Sequence, residues 1–334
     1  MTIKESKPTI AFVTGGYSAE AEISYKSAIT IEKNIDREKY NAYTIDITPQ
    51  GWIYTFDSGK VLVDQNDFSI LVSGKKIWFD AVLMGIHGTP GEDGKLQSYF
   101  DLHHLPYTTC DAASSAITFN KRYTVAVAAF AGISTAKSLH IFRESPIPAE
   151  EIAKKLVFPL FVKPNNGGSS IGMSKVNDPM ALPLALEKAF KEDSQVLVEE
   201  FISGREFTVG VFKTSKGITV LPITEIKTTN DFFDFNAKYL GESQEITPAA
   251  ISEELANTIR ASAIKVFEIF NCRGVVRIDF IYNEKTQQPC LLEINTVPGQ
   301  SEASIVPQQV KAMGWTLKEF YSALIDEALS RKLR

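Results

Sequence analysis

The chain has 334 residues, and 35 Lys and Arg against 40 Asp and Glu side chains leave a formal net charge of −5. This length is enough for about two or three domains. A content of 44% hydrophobic and 22% charged residues is typical of a globular protein and excludes a disordered or fibrous chain. The mild acidity provides no general reason to bind nucleic acid or an anionic membrane, and no apolar run approaches the ~20 residues of a membrane helix, so neither partner is expected.

The cysteines form no recognisable pattern. Cys110, Cys272 and Cys290 are scattered and odd in number, with no CxxC pair. This spacing excludes a disulfide framework and a structural zinc knuckle, and it is typical of a reducing compartment. Residues 1–16 contain no apolar stretch before a small-residue cleavage site, so no signal peptide is predicted. We therefore expect a cytoplasmic protein.

The first part of the chain alternates between strand and helix patterns. Residues 8–14 are a β-rich apolar run that ends at a Gly-Gly pair, and helical spacing of apolar residues follows. Residues 40–47 and 81–86 are also predicted strands, the second fully apolar as in a parallel sheet. This alternation predicts an α/β domain over residues 1–88.

The middle of the chain has a different pattern. Helices are predicted after residue 94 and near residues 112–131. Short strands joined by turns and one helix follow, which predicts an antiparallel α+β region; they lie at residues 158–164, 171–176, 195–199, 206–213 and 217–223, with the helix at 180–190. Residues 226–248 are polar, aromatic and aperiodic, which indicates either a functional lid or a mistaken assignment.

The last part of the chain returns to regular elements. A helix is predicted over residues 252–270, followed by strands at 275–282 and 290–295. The closing helix carries apolar residues at 3-4 spacing, which predicts core packing of Leu317, Phe320, Tyr321, Leu324, Ile325 and Ala328.

The densest group of chemically useful residues lies on the last two predicted strands. Alternation places Arg277 and Asp279 on one face of the first strand, and Glu293 and Asn295 on one face of the second. If the strands are neighbours, three oxygen donors converge beside a guanidinium, which is the ligand set of a site for Mg²⁺ and phosphate. The alternative is a pair of surface strands with ordinary polar faces.

A glycine-rich loop provides a second candidate site. Residues 163–172 (KPNNGGSSIG) follow a predicted strand, and backbone N–H groups of such a loop can bind phosphate beside Lys163. The loop is neither GxxxxGK[ST] nor GxGxxG. Its formal GxSxG does not favour a serine hydrolase, because that motif leads into a helix and residues 172–176 are predicted to continue as strand. A plain hairpin loop remains the alternative.

Two further segments follow N-terminal strands. Residues 15–24 (GGYSAEAEIS) place Glu20 in a first helical turn, where it either serves a ligand or only compensates the helix dipole, as Glu22 could too. Residues 87–94 (HGTPGEDG) place His87 beyond the carboxyl end of an apolar strand, where ligand sites of open α/β sheets lie. A structural turn with a structural histidine is the alternative there.

Together these segments resemble the D-alanine–D-alanine ligase family of the ATP-grasp superfamily. The matching stretches are GGYSAEAEIS (15–24), HGTPGEDG (87–94), KPNNGGSSIGMSKV (163–176), EEFISGREFTVG (199–210), AKYL (237–240), RIDF (277–280) and LLEINTVPGQSEASIVP (291–307). The resemblance implies an α/β plus α+β chain with an ATP-grasp fold and an N-terminal open α/β (pre-ATP-grasp) domain. The implied domains are residues 1–88, 89–203 and 204–334, with a mobile lid at 226–248.

The family's reaction implies the substrates. ATP phosphorylates the carboxylate of one D-alanine, and the amine of a second D-alanine attacks the acylphosphate, yielding D-alanyl-D-alanine, ADP and phosphate for peptidoglycan precursors. The resemblance assigns two Mg²⁺ ions, for which Mn²⁺ substitutes, to Asp279, Glu293 and Asn295. Arg277 and the backbone N–H of Gly299 would stabilise the tetrahedral intermediate. A homodimer is implied as well.

The resemblance also assigns binding residues. ATP would be bound through its phosphates by Lys121, Lys163 and Ser169, through adenine by Glu199 and the backbone of Glu200 and Ile202, and through ribose by Glu206. The first D-alanine's ammonium would contact Glu20, with His87 nearby, and the second substrate's carboxylate would contact Lys238 and Ser304. Ser169 and Tyr239 resemble the family pair that, with Glu20, links the phosphate loop to the lid.

Some positions depart from the family pattern. Glu200 occupies a position where Lys is common, Asn165 and Asn166 replace a frequent basic-acidic pair, and Gln300 and Ala303 replace residues near the second-substrate serine. The rival interpretations are a D-alanine–D-lactate ligase, another ATP-grasp carboxylate–amine ligase, and a non-catalytic nucleotide-binding protein on the same scaffold.

Overall fold

The computed structural model describes residues 7–168, 171–228 and 243–331. Within these ranges the strands form three sheets. The first sheet has the order β6-β5-β4-β3-β2-β1-β7, with strands β1 Thr9–Gly15, β2 Asn41–Thr48, β3 Gly51–Phe56, β4 Gly59–Asp64, β5 Ser69–Val72, β6 Lys75–Ile77 and β7 Ala81–Met84. Helix α1, Ala21–Asn34, connects β1 to β2.

The predicted strands of the N-terminal region are confirmed, and four more were not predicted. β1 pairs in parallel with β2 and β7, as expected for an open α/β sheet. β3 to β6 extend the sheet as antiparallel hairpins, because polar turns separate short runs there. β1 ends at Gly15, where φ is +94° and an added Cβ would lie 2.5 Å from the carbonyl oxygen of Ile47, so only glycine fits this close turn.

The predicted helix at 112–131 is two helices. α2 Lys95–Leu102 is followed by α3 Ala112–Phe119 and α4 Lys121–Phe130. Asn120 ends α3 and begins α4, where its side chain accepts a hydrogen bond from the backbone N–H of Tyr123 at 3.2 Å. The single-helix prediction was wrong because an extended asparagine that caps the next helix interrupts the pattern.

The middle sheet is antiparallel, as predicted. Its order is β10-β9-β11-β8, and its elements are β8 Ser138–Phe142, α5 Ala149–Lys155, β9 Leu160–Pro164, β10 Ser174–Val176, a 3₁₀ turn Pro179–Ala181, α6 Leu182–Glu192 and β11 Gln195–Glu200. β8 and α5 were not predicted. The strand predicted at 171–176 is wrong at its start, since 171–173 form a turn before β10.

The third sheet has the order β15-β14-β12-β16-β17, with β13 also paired to β12. Its region contains β12 Arg205–Thr214, β13 Gly217–Val220, β14 Thr224–Thr228, β15 Ser243–Ile246, α7 Glu253–Ile269, β16 Val275–Asn283, β17 Gln288–Asn295, α8 Ile305–Ala312 and α9 Leu317–Ser330. The stretch 226–248, expected to be aperiodic, contains paired strands at both ends, where Lys227 lies opposite Gln244. Residues 229–242 lie outside the described ranges.

Helix α9 packs as its apolar stripe predicts. Its six stripe residues are at most 5% exposed, and all of them except Ala328 share a core with Ile31 of α1, Leu83 of β7 and Phe212 of β12. The closing helix therefore packs on the N-terminal sheet and on the third sheet, and joins the two. In the part of the chain that the structure describes, every helix is too short or too polar to cross a membrane.

Candidate active site

A cavity of about 630 Å³ lies between the middle sheet and the third sheet. It is lined by every residue that the sequence analysis assigned to ATP within the described ranges, namely Lys121, Lys163, Glu199, Glu200, Ile202 and Glu206, and also by Asp279 and Glu293. A volume of this size accommodates a nucleotide. Side chains from β9, β11, β12, β16 and β17 therefore meet at one site, although they are distant in the sequence.

The walls of the cavity combine apolar surface with a buried ion pair. Phe161 and Phe201 lie with their ring centroids 5.9 Å apart, and Ile171 also lines the cavity. Lys163 forms an ion pair with Glu199, which is only 8% exposed. Apolar side chains suit a planar base, whereas the lysine carries the charge that a phosphate requires.

Glu200 is one of the positions at which this chain departs from the family pattern. Its backbone N–H donates to the carbonyl oxygen of Lys137 at 2.9 Å, and its carboxylate accepts from the backbone N–H of Val157 at 3.0 Å. Lys137 Nζ lies 3.7 Å from the same carboxylate. Because the N–H is already bonded, the backbone of Glu200 can offer a base only its carbonyl oxygen, and the acidic side chain stabilises the protein framework.

The glycine loop is attached to the start of α4. Lys121 Nζ donates to the carbonyl oxygen of Gly167 at 2.7 Å, and the backbone N–H of Arg122 donates to Asn165 Oδ1 at 2.9 Å. Asn166 donates its backbone and side-chain N–H groups to Asp193 at 2.8 and 2.7 Å. The two asparagines that depart from the family pattern thus shape the loop. Ser169 lies outside the described residues.

The acidic strands are neighbours, which is the condition on which the predicted site depends. In the β16–β17 register Arg277 lies opposite Asn295, and Asp279 opposite Glu293. Arg277 holds Asp279 through two hydrogen bonds, Nε to Oδ1 at 2.9 Å and Nη2 to Oδ2 at 2.7 Å. Asn295 Nδ2 donates to Asp279 Oδ2 at 3.2 Å, and Arg277 Nη2 lies 3.8 Å from Glu293 Oε1. The alternative of two unrelated surface strands is excluded.

This donor set fits Mg²⁺. Asp279 and Glu293 provide carboxylate oxygens that face the cavity, and Asn295 provides an amide oxygen. Within the described ranges no three His, Cys, Asp or Glu side chains are grouped to hold a metal by themselves. Mg²⁺ is commonly bound by one or two carboxylates together with substrate phosphates.

Glu20 lies where the N-terminal region meets the glycine loop. An added Cβ at Gly88 would lie 2.3 Å from Glu20 Oε2, and one at Gly168 would lie 2.7 Å from Glu20 Oε1. The carboxylate is therefore between the two glycines. Glu20 is the N-cap residue of α1, and its side chain makes no capping hydrogen bond to the helix.

His87 is buried beside this point. Its Nε2 lies 3.0 Å from Ser27 Oγ, and its Nδ1 lies 3.8 Å from Glu92 Oε1. Ser27 Oγ also accepts from the backbone N–H of Gln300 at 3.1 Å, which connects His87 to the loop before α8. Glu92 lines a smaller cavity with Lys121, Lys163, Glu293 and Asn295. The N-terminal segment therefore reaches a smaller cavity that shares Lys121, Lys163 and Glu293 with the main one.

Gly299 and Ser304 lie together in the loop before α8. An added Cβ at Gly299 would lie 2.9 Å from Ser304 Oγ, which is 2.7 Å from Ser301 Oγ. Ser304 is the N-cap residue of α8 but makes no capping hydrogen bond. These two residues do not line the 630 Å³ cavity. Lys238 and Tyr239 lie outside the described residues.

The sequence analysis missed several polar residues around the site. Glu225, only 3% exposed, pairs with Arg205 at 2.8 Å, and both line the cavity. Glu245 on β15 accepts from Gln308 Nε2 at 2.7 Å, and Gln309 is fully buried. No sequence pattern could have found them, because each partner lies on a separate element of the chain.

Glu245 allows a test of the electrostatics beside the site. Burial raises the pKa of Glu245, and the hydrogen bond from Gln308 and the charge of Arg277 oppose this rise only in part. Between its unfolded and folded pKa values the folded state binds more protons, so stability falls as the pH rises through this window. We expect Glu245→Gln to raise the Tm at pH 7, and the difference to vanish near about pH 4, below the unfolded pKa. Thermal melts across pH measure this.

Glu38, exposed in a turn, provides the control for this prediction. Glu38→Gln should leave the Tm within about 1 °C at every pH, as expected of a surface substitution. A Glu245→Gln melting profile parallel to that of the unmodified chain would contradict the assigned burial cost.

The fold and the cavity define an ATP-grasp ligase, and solved structures agree. The chain aligns with the VanG D-Ala:D-Ser ligase from Enterococcus faecalis (TM-score 0.85, 31% identity, 96% of this chain and 99% of that one). It also aligns with D-alanyl-alanine synthetase A from Vibrio cholerae (TM-score 0.86, 27% identity, 97% and 99%).

Sequence comparison identifies the family. Residues 9–110 match the family described as D-ala D-ala ligase N-terminus, and residues 119–326 match D-ala D-ala ligase C-terminus. The D-alanine–D-alanine ligase of Flavobacterium johnsoniae is 45% identical over 322 residues, 96% of this chain and 99% of the relative. That of Parabacteroides distasonis is 42% identical over 327 residues, 98% and 99%. This chain belongs to the D-alanine–D-alanine ligase family, whose ATP-dependent, ADP-forming reaction joins two D-alanine molecules for peptidoglycan precursors and uses a divalent metal.

Proposed function

We propose that this chain makes D-alanyl-D-alanine through an acylphosphate formed in the cavity between the middle and third sheets. A carboxylate is a poor acyl donor because its oxygen is a poor leaving group, and phosphorylation supplies a better one. One D-alanine carboxylate oxygen attacks the γ-phosphorus of ATP and ADP leaves. The amine of the second D-alanine then attacks the acyl carbon and loses a proton, and phosphate leaves. The observation that carries the proposal is the register of Asp279 with Glu293 inside a cavity that also contains the glycine loop.

The nucleotide would occupy the 630 Å³ cavity. Lys121 and Lys163 would bind its phosphates, with Ser169 contributing from outside the described residues. Glu199, the carbonyl of Glu200 and the backbone of Ile202 would recognise adenine, and Glu206 would recognise ribose. The position of these six described residues around one cavity supports the assignment. Positioning and charge neutralisation are the main requirements of phosphoryl transfer.

Asp279, Glu293 and Asn295 would hold two Mg²⁺ ions, for which Mn²⁺ would substitute. When bound, the ions would neutralise negative charge on the phosphates. Arg277, fixed by its two hydrogen bonds to Asp279, would present its guanidinium to the tetrahedral intermediate together with the backbone N–H of Gly299. A rigid donor pair stabilises such an oxyanion without reorganisation.

The amino-acid subsites would lie where the N-terminal segment and the loop before α8 meet the glycine loop. Glu20 would bind the first ammonium group, with His87 held behind it through Ser27. Ser304 would bind the second carboxylate, joined by Lys238. Tyr239 would link the lid to Ser169 and Glu20. Exclusion of water by the lid would protect the acylphosphate from hydrolysis.

The domain boundaries, the lid, the compartment and the assembly state are proposed as well. The three sheets support a division into three parts, for which the proposed bounds are residues 1–88, 89–203 and 204–334, and the proposed lid is residues 226–248. A cytoplasmic homodimer follows from the family resemblance. Sedimentation of the purified chain would measure the assembly, since a single species at the monomer mass of 37.0 kDa would overturn the dimer.

One experiment separates the candidate reactions. ADP release should require D-alanine and be absent with L-alanine, and mass spectrometry should detect D-alanyl-D-alanine. D-Serine and D-lactate, each added together with D-alanine, test the mixed ligations, the first because the VanG neighbour is a D-Ala:D-Ser ligase. Preferred formation of either mixed product, or ATP binding without turnover, would overturn the proposal.

A further inference from the structure

Helix α8 carries a buried amide that no sequence motif includes. Gln309 is 0% exposed. Its Oε1 accepts from the backbone N–H of Gly210 at 3.0 Å, and its Nε2 donates to the carbonyl oxygen of Thr208 and to Thr224 Oγ1, both at 3.0 Å. One side chain thus fastens α8 to strands β12 and β14. Since an amide offers two donors and an acceptor, these three bonds use each of them.

The contact with β12 requires close packing. An added Cβ at Gly210 would lie 2.7 Å from Gln309 Oε1 and 2.6 Å from Leu221 Cδ1. Only a glycine at position 210 allows the amide to approach the strand this closely. The position of α8 relative to β12 is therefore set by a specific contact and not by apolar packing alone.

The same strand supports the proposed metal carboxylate. Thr208 lies opposite Asp279 in the β12–β16 register, and its hydroxyl donates to Asp279 Oδ1. Thr208 is 2% exposed, so its carbonyl and its hydroxyl are held by Gln309 and Asp279 without competition from bulk water. Thr208 therefore links the Gln309 amide to the strand that carries Asp279 through a single residue.

The third bond leads to the base of the lid. Thr224 Oγ1 lies 2.6 Å from Thr247 Oγ1. Thr224 begins β14, and Thr247 directly follows β15, the two strands that flank residues 229–242. The N-cap residue of α8 is Ser304, which lies five residues before Gln309. Gln309 thus connects three parts of the protein. They are the loop that contains Gly299 and Ser304 (the second-substrate loop), strand β12, whose Thr208 holds Asp279, and strands β14 and β15.

We propose that Gln309 is a positioning residue that holds the second-substrate loop in register with Asp279 and the base of the lid. This inference rests on the function proposed above. Its consequence is that the amine of the second D-alanine reaches the acylphosphate before water does. When the register is lost, the first step continues, and water competes for the acyl carbon, releasing D-alanine and phosphate without dipeptide.

The test is the ratio of ADP released to dipeptide formed, both measured in the same quenched sample. The unmodified chain should give 1:1, as the balanced reaction requires. Gln309→Met, of similar volume but without polar atoms, should raise the ratio about threefold and the KM of the second D-alanine about tenfold, with the KM for ATP within about twofold. A purely structural role would lower ADP and dipeptide equally and leave the ratio at 1:1.

Two further variants keep the test decisive. Lys311→Met changes an exposed residue of the same helix and should keep the 1:1 ratio. If Gln309→Met does not fold, Thr224→Val removes one of the three Gln309 bonds, together with the Thr224–Thr247 bond, with little change in shape and should raise the ratio in the same direction. A 1:1 ratio in every folded variant overturns the role of Gln309 alone, whereas the absence of dipeptide from the unmodified chain overturns the proposed function and this inference with it.

Discussion

Replacing Asp279 with asparagine is expected to lower dipeptide formation by about a thousandfold or more, because a removed carboxylate leaves phosphate charge uncompensated. The residue is 7% exposed, and its carboxylate accepts hydrogen bonds from Arg277, Thr208 and Asn295. Asparagine keeps the shape but loses the charge. Steady-state ADP release and dipeptide formation measure the effect.

The proposed binding of metal by Asp279 can be measured separately from turnover. Mn²⁺ bound in the presence of a non-hydrolysable ATP analogue can be counted by electron paramagnetic resonance, and Asp279→Asn should lose at least part of that signal. Asp326→Asn provides the control, since Asp326 accepts from Tyr40 at 2.5 Å on the α9 side of the N-terminal sheet. That variant should lose about 1 kcal/mol of stability and keep its kcat. Full turnover or full Mn²⁺ binding in Asp279→Asn would refute the assignment.

The second large effect is expected for Gly88→Ala. Gly88 has φ +66°, and an added Cβ would lie 2.3 Å from Glu20 Oε2 and 2.7 Å from Ser18 Oγ. The methyl group would displace the Glu20 carboxylate from its place between Gly88 and Gly168. Because Glu20 is proposed to hold the first substrate's ammonium, we expect the KM for D-alanine at the first subsite to rise about tenfold or more, in addition to a loss of stability.

Gly74→Ala separates backbone strain from this contact. Gly74 has a similar φ of +74°, but no atom lies within 4 Å of its added Cβ. Gly74→Ala should therefore lower the free energy of unfolding by about 1 kcal/mol, because of the left-handed backbone alone, and leave the kinetic constants unchanged. Chemical denaturation measures the stability of both variants, and initial rates measure their KM for D-alanine. Equal kinetics in the two variants would mean that Glu20 does not depend on the space at Gly88.

The faces of the two acidic strands were more predictable than the elements around them. Alternation predicted which side chains share a face of each strand, because a β-strand presents every second side chain on one face, and the pairing of β16 with β17 then placed Asp279 opposite Glu293. Short strands such as β3 to β6 were missed, since their runs carry weak periodicity and depend on pairing with neighbours. The break at Asn120 was also missed, because an asparagine within an apolar pattern resembles a solvent-exposed helical residue until its capping bond is seen.

Local patterns and motif order thus determined the class of fold and the family, and they predicted the residues of the site, because these depend on residue type and short spacing along the chain. Only the tertiary structure decided which groups complete that site. The contact of Gln309 with Thr208 joins residues 101 positions apart, and Gly88 approaches Glu20 only after the N-terminal loops have packed. Such contacts depend on how whole sheets and helices are placed against one another, and no periodicity within a single segment encodes that placement.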